Sequence, residues 1–163
     1  MPFLFEKINV LRENGSDLEV PQFIIDNLNS KKPLRDYQID AYKNFALYLK
    51  STYAKNKQTH VLFHMATGSG KTMIMAMLIL HYFNEGYRNF LFFTHRSNIV
   101  AKTIVNFCEA KSNKYLFNEK FSMHGIPFKI KKVDNTQQKC GKVYCKHAKI
   151  NCHNIDICRR CLV

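Results

Sequence analysis

The sequence predicts an α/β fold, a parallel sheet with helices laid over its faces. Two observations carry that expectation. Two short apolar segments, His60–Met65 (HVLFHM) and Asn89–Thr94 (NFLFFT), have the look of buried strands, and each is followed at once by a stretch of helical period. A glycine-rich turn, ATGSG (66–70), joins the first segment to its helix. Strand–helix–strand–helix with short connections is the order of parallel sheets covered on both sides.

Each element follows from its own pattern. In the lead-in, residues 1–33, a short helix is expected from Pro21 to Leu28, with proline suited to the first turn. A longer helix is expected from Asp36 to about Tyr53, because Gln38, Tyr42, Phe45, Leu49 and Tyr53 recur at steps of three and four, and Asp36 can cap it. Tyr42, Phe45 and Leu49 are read as core. After the glycine turn, KTMIMAMLILHYFNEG reads as a buried helix stopped at Gly86, and its methionines as core packing. Ser97 is placed to cap a helix through Ile99, Val100, Ile104, Val105 and Phe107. Beyond Lys111 the periodicity fades, and only PFKIKKV (Pro127–Val133) is strand-like.

Composition bounds the function. A chain of 163 residues, 46% hydrophobic, suits one folded domain. The formal charge is +13, and it is uneven: residues 1–33 carry −1, residues 34–110 carry +5 and residues 111–163 carry +9. Such a balance points to a polyanion such as nucleic acid as partner. The longest apolar run, Met73–Leu80, is far shorter than the ~18 residues a bilayer requires, which predicts no membrane span. The N-terminus lacks the basic and apolar regions of a signal peptide, so the expected location is cytoplasmic.

The strongest chemical signal is MATGSGKT, residues 65–72, between a strand-like and a helix-like segment. Consecutive backbone N–H groups in a tight glycine turn converge on a phosphate, and the positive end of the following helix adds to the attraction. Gly68 and Gly70 allow close approach, Lys71 brings an ammonium to the β and γ groups, and Thr72 offers a hydroxyl to Mg²⁺. Ala66, Thr67 and Ser69 complete the loop. The general pattern GxxxxGK[ST] asks for glycine at position 65, where this chain has Met65.

The ATGSGKT form resembles the phosphate loop of superfamily two helicases, more narrowly the DEAD/DEAH-type module in restriction-enzyme subunits of type I and type III. LRDYQ (Leu34–Gln38), whose Gln38 precedes Lys71 by 33 positions, resembles that superfamily's adenine-recognition segment. FFTHRSNIVAKTIVNF (Phe92–Phe107) is similar to the segment that touches the bound strand's backbone. The resemblance spans about residues 33–108. It implies a RecA-like nucleotide-binding domain over residues 34–135, with ATP and Mg²⁺ as cofactors, and Lys71 and Thr72 acting at the phosphates. It implies that Gln38 reads adenine bidentately while Arg35 packs on the base, and that Thr94, Arg96 and Asn98 contact nucleic-acid phosphates. It further implies DNA and a modification methyltransferase subunit as partners.

An NTPase of that family also needs an acidic Asp-Glu motif, the Asp to hold Mg²⁺ through water and the Glu to orient the attacking water. No Asp-Glu dipeptide occurs in the sequence; Asp134 precedes Asn135, and Asp156 lies among cysteines. The RecA-like domain is therefore expected to be incomplete, an ATP-binding N-terminal part of a longer enzyme. Residues 136–163 form a basic tail holding five of the six cysteines: Cys140, Cys145, Cys152, Cys158 and Cys161. Three readings stay open there: a zinc site with His147 and His153, reduced structural thiols, or an unstructured or aberrant tail, which is the expectation adopted. Two rival functions also stay open: a non-enzymatic DNA-binding module with a vestigial phosphate loop, and a P-loop NTPase of another kind.

Overall fold

Four helices precede the first strand in the computed structural model, which describes residues 3–14, 18–54, 59–94, 97–120, 122–123, 126–127, 129–133 and 154–158. In chain order the elements are α1 (Leu4–Glu13), α2 (Gln22–Asn27), α3 (Asp36–Lys50), α4 (Lys71–Asn84), β1 (Asn89–Leu91), α5 (Ser97–Cys108), β2 (Ser122–Met123), β3 (Ile126–Pro127), β4 (Lys129–Val133) and β5 (Asn154–Cys158). Strands β1, β5 and β4 form a parallel sheet in that order, with Asn89 opposite Asp156 and Lys131 opposite the same residue on the other side. Strands β2 and β3 make a separate antiparallel pair.

The core is built around α4. Met73, Ile74, Ala76, Met77, Ile79, Leu80 and Phe83 are buried, as expected of a helix apolar around most of its circumference. They join Ile24 of α2, Tyr42 and Ala46 of α3, Phe107 of α5 and Ile130 of β4 in one cluster. Hydrogen bonds between side chains and main chain help fix the lead-in to the segment after α5. Asn29 Nδ2 and Lys32 Nζ both donate to the Tyr115 carbonyl, at 2.8 and 3.1 Å. The Ser122 amide donates to Asn27 Oδ1 at 2.9 Å.

One contact locks the middle of α3 onto the last turn of α4. The Tyr42 hydroxyl and His81 Nδ1 share a hydrogen bond of 2.8 Å, and the His81 ring meets Tyr42, Phe45 and Tyr82 edge-on. Burial holds His81 below its ordinary pKa, with Glu85 opposing in part, so its imidazole is neutral at neutral pH. Burial, helped by Glu85, also raises Tyr42, which keeps its proton. The starts of the two helices meet separately, through Gln38 and the Ser69 carbonyl.

The helices at Pro21–Leu28 and Lys71–Gly86 form as the sequence predicts. α4 ends ahead of Gly86, at φ +97, and Arg88 donates to the Phe83 carbonyl at 2.7 Å. Other expectations need correction. α3 ends at Lys50, three residues before Tyr53, because Ser51 Oγ turns back to the Tyr48 carbonyl at 2.6 Å. Asp36 is the first helical residue of α3; Arg35 is its cap, and Ser97 likewise lies inside α5. His60–Met65 is no strand: among the described residues nothing pairs with it, and Leu62 is 88% exposed. A buried strand needs ladder partners as well as apolar side chains. The strand expected over Asn89–Thr94 is confined to Asn89–Leu91. Five residues of the tail expected to be unstructured, Asn154–Cys158, form the middle strand of the parallel sheet. The remaining tail, with Cys140, Cys145, Cys152, Cys161, His147 and His153, lies outside the described residues.

Candidate nucleotide site

The glycine turn stands at the N-terminus of α4, and its shape follows from two left-handed residues. Gly68 and Gly70 both have φ +81, a conformation that costs glycine little and other residues ~1–2 kcal/mol. Gly70 is the helix cap, and its carbonyl accepts from the Met73 amide at 2.8 Å. The Ala66 carbonyl gathers the Ser69 amide (3.3 Å), Ser69 Oγ (2.7 Å) and Lys71 Nζ (2.8 Å). Lys71 Nζ also donates to the Met65 carbonyl at 3.1 Å. The loop is closed by its own bonds, with the lysine folded back over it.

The start of α3 reaches the same loop. Gln38 is buried, 5% exposed, and both ends of its carboxamide are used. Its Oε1 accepts from the Arg35 amide at 3.1 Å, and its Nε2 donates to the Ser69 carbonyl at 3.0 Å. A carboxamide has two donors and two acceptor lone pairs, so one of each remains, the number a bidentate pairing with adenine uses. Tyr37 Oη donates to the Ser69 carbonyl too, at 2.9 Å, and accepts from Arg35 Nη1 at 2.8 Å. Of the residues expected at the site, Arg35, Gln38, Ala66, Ser69 and Lys71 are thus joined in one hydrogen-bonded unit, and Gly70 lies against the Gln38 carboxamide. Thr67 and Gly68 lie within the same turn, and Thr72 is half-buried in the first turn of α4. Tyr37 was not among the expected residues, although it stands inside LRDYQ between two that were.

The arrangement fits a nucleotide phosphate. An exposed ammonium and a helix N-terminus converge at the loop, and there is room: a Cβ added at Gly68 would meet nothing within 4 Å. The bonds Lys71 makes are to neutral carbonyls, and a phosphate oxygen offers a stronger, charge-assisted partner.

The residues expected at nucleic acid are less completely placed. Thr94 lies three residues beyond β1, and Asn98 is exposed in the first turn of α5. Arg96 lies outside the described residues.

A family model described as "Type III restriction enzyme, res subunit" (ResIII) matches residues 31–154. The chain belongs to this ResIII family. The match takes in LRDYQ, the glycine turn and the segment after β1, so the restriction-enzyme helicase module and its RecA-like fold are those of this chain. A relative described as "Probable type III restriction-modification enzyme HindVIP Res subunit", from Haemophilus influenzae (strain ATCC 51907 / DSM 11121 / KW20 / Rd), is 44% identical over 121 residues. The match covers 71% of this chain and 23% of the relative, so the chain spans about a quarter of that relative's length. No solved structure matches. Among the described residues no helix is long and apolar enough to cross a membrane, and no group of three metal-ligating side chains occurs.

Proposed function

We propose that this chain is the ATP-binding part of an ATP-dependent helicase or translocase of restriction-enzyme type, which binds Mg²⁺·ATP at residues 66–72 and acts on DNA. The observation that supports it most is the Ser69 carbonyl, where the expected adenine-reading segment of α3 and the phosphate loop meet through Gln38. The amides of the glycine turn and the Lys71 ammonium would hold the phosphates, and Thr72 would hold Mg²⁺. Bound Mg²⁺ would supply charge neutralisation at the β- and γ-phosphates. Gln38 would pair with adenine through its remaining donor and acceptor, and the Arg35 guanidinium would pack on the base. Thr94, Arg96 and Asn98 would meet a nucleic-acid backbone, and a modification methyltransferase subunit would be the protein partner. The cytoplasm is the location that suits this role.

The base assignment is tested by titrating ATP and GTP into the purified chain. The wild type is expected to prefer ATP, and Gln38→Ala to bind the two alike while keeping part of its triphosphate affinity. Equal affinity of the wild type for both nucleotides contradicts the role given to Gln38.

The DNA assignment has its own test. With +9 carried by residues 111–163, DNA affinity is expected to fall linearly on a log–log plot against salt, by about −0.9 per neutralised phosphate of a duplex. Affinity independent of salt, or none at low ionic strength, contradicts DNA binding by this chain.

A further inference from the structure

Tyr37 belongs to none of the roles above, yet its hydroxyl occupies the junction between the two halves of the site. It accepts from Arg35 Nη1 at 2.8 Å and donates to the Ser69 carbonyl at 2.9 Å. The Arg35 guanidinium lies 6.0 Å from the centre of the Tyr37 ring. Among the described residues Arg35 makes no direct bond to the loop; it reaches Ser69 through that hydroxyl and through its own amide and Gln38. A guanidinium on a flexible stem that must lie flat against a base loses side-chain freedom when it does so. A partner that already fixes its direction removes part of that cost, and here the partner is itself fixed to the phosphate loop.

We propose that Tyr37 is a positioning residue that couples the base subsite to the phosphate subsite, through an Arg35–Tyr37–Ser69 relay of two hydrogen bonds. It rests on the adenine-nucleotide reading above. Occupation of the loop by phosphates fixes the Ser69 carbonyl, the carbonyl fixes the Tyr37 hydroxyl, and the hydroxyl presents Arg35 to the base. The coupling is reciprocal: phosphates in the loop favour the Arg35 position that meets a base, and a base held by Arg35 favours the loop geometry that meets phosphates.

Tyr37→Phe isolates the relay. It removes the hydroxyl and keeps the ring, and the side chain is 41% exposed, so the fold does not depend on it. The measurement is calorimetric titration of the full chain with Mg²⁺·ATP and with inorganic tripolyphosphate, which carries the phosphates without a base. The ratio of the two affinities is expected to fall about threefold to tenfold in Tyr37→Phe, the range for loss of one or two ordinary hydrogen bonds. In a double-mutant cycle with Arg35→Ala, the two substitutions are expected to be non-additive, because each breaks the same relay. An unchanged ratio, an equal loss toward both ligands, or additive effects each overturn the coupling; the second of these would make Tyr37 a support of the loop alone. Lys71→Ala separates the two levels of the proposal. If it binds ATP as the wild type does, the nucleotide reading falls and the relay with it. If it loses ATP while Tyr37→Phe leaves the ratio unchanged, only the relay falls.

Discussion

The purified chain is expected to bind Mg²⁺·ATP but to release phosphate far more slowly than about 1 s⁻¹, the order of ordinary enzymes. Phosphoryl transfer to water depends on positioning and on stabilising charge spread over the γ-phosphate oxygens. Lys71, Thr72 and the amides of the glycine turn supply the part of this that holds the phosphates. The pair that would hold the metal and orient water, an Asp followed by Glu, does not occur in the 163 residues. An arginine supplied from another domain or subunit is alone worth about 10³–10⁵ in rate in enzymes that use one. The assay is phosphate release with and without DNA, with Lys71→Ala as the control for contaminating ATPases. Turnover at about 1 s⁻¹ or faster that disappears in Lys71→Ala would contradict the expectation and direct attention to Asp134.

The second large effect is expected at Gly70. An alanine there would meet two penalties at once. The backbone is left-handed, φ +81 and ψ 36, which costs a residue with a Cβ about 1–2 kcal/mol. The added Cβ would also collide with Gln38 Nε2 and force the carboxamide off the Ser69 carbonyl, a hydrogen bond worth roughly 0.5–1.5 kcal/mol. Gly70→Ala is therefore expected to lower unfolding stability by about 2–3 kcal/mol and to erase the preference for ATP over GTP. Gly68→Ala is the comparison: it has the same φ but open space around it, so only the backbone cost applies. Denaturant melts showing equal losses for the two variants would contradict the contact between Gly70 and Gln38.

What the sequence revealed of this molecule was local chemistry, and what it concealed was pairing. The glycine turn was legible because few residues besides glycine accept φ +81 next to a helix start, and because lysine and threonine follow in a fixed order. The burial of Tyr42 and Phe45 was legible from helical period and that of most of Met73–Leu80 from an unbroken apolar run, whereas Leu49, read as core with them, is only partly buried. His60–Met65 misled because apolar content signals a wish for burial and says nothing of a ladder partner. β5 was hidden for the converse reason. Its place between β1 and β4 depends on pairing Asn89 with Asp156, 67 positions away, and no local pattern in NIDIC announces that. Tyr37 was passed over because a hydroxyl's role is set by what lies opposite, and its partner Ser69 is 32 residues further along. Arg35 and Gln38 were found by their resemblance to a known adenine-reading segment, and the structure adds a bond from Gln38 to the phosphate loop that the resemblance did not include.

The central claim is that this glycine turn is a working nucleotide site and not a vestige. Isothermal calorimetry of wild type and Lys71→Ala with Mg²⁺·ATP tests it most directly. Lys71 folds back on the Met65 and Ala66 carbonyls, is exposed, and supports no core packing, so its loss leaves the fold intact. Removing a charge-assisted contact worth ~1.5–3 kcal/mol is expected to weaken ATP by at least about tenfold. Equal affinity in the two proteins, or no ATP binding by the wild type, would contradict it.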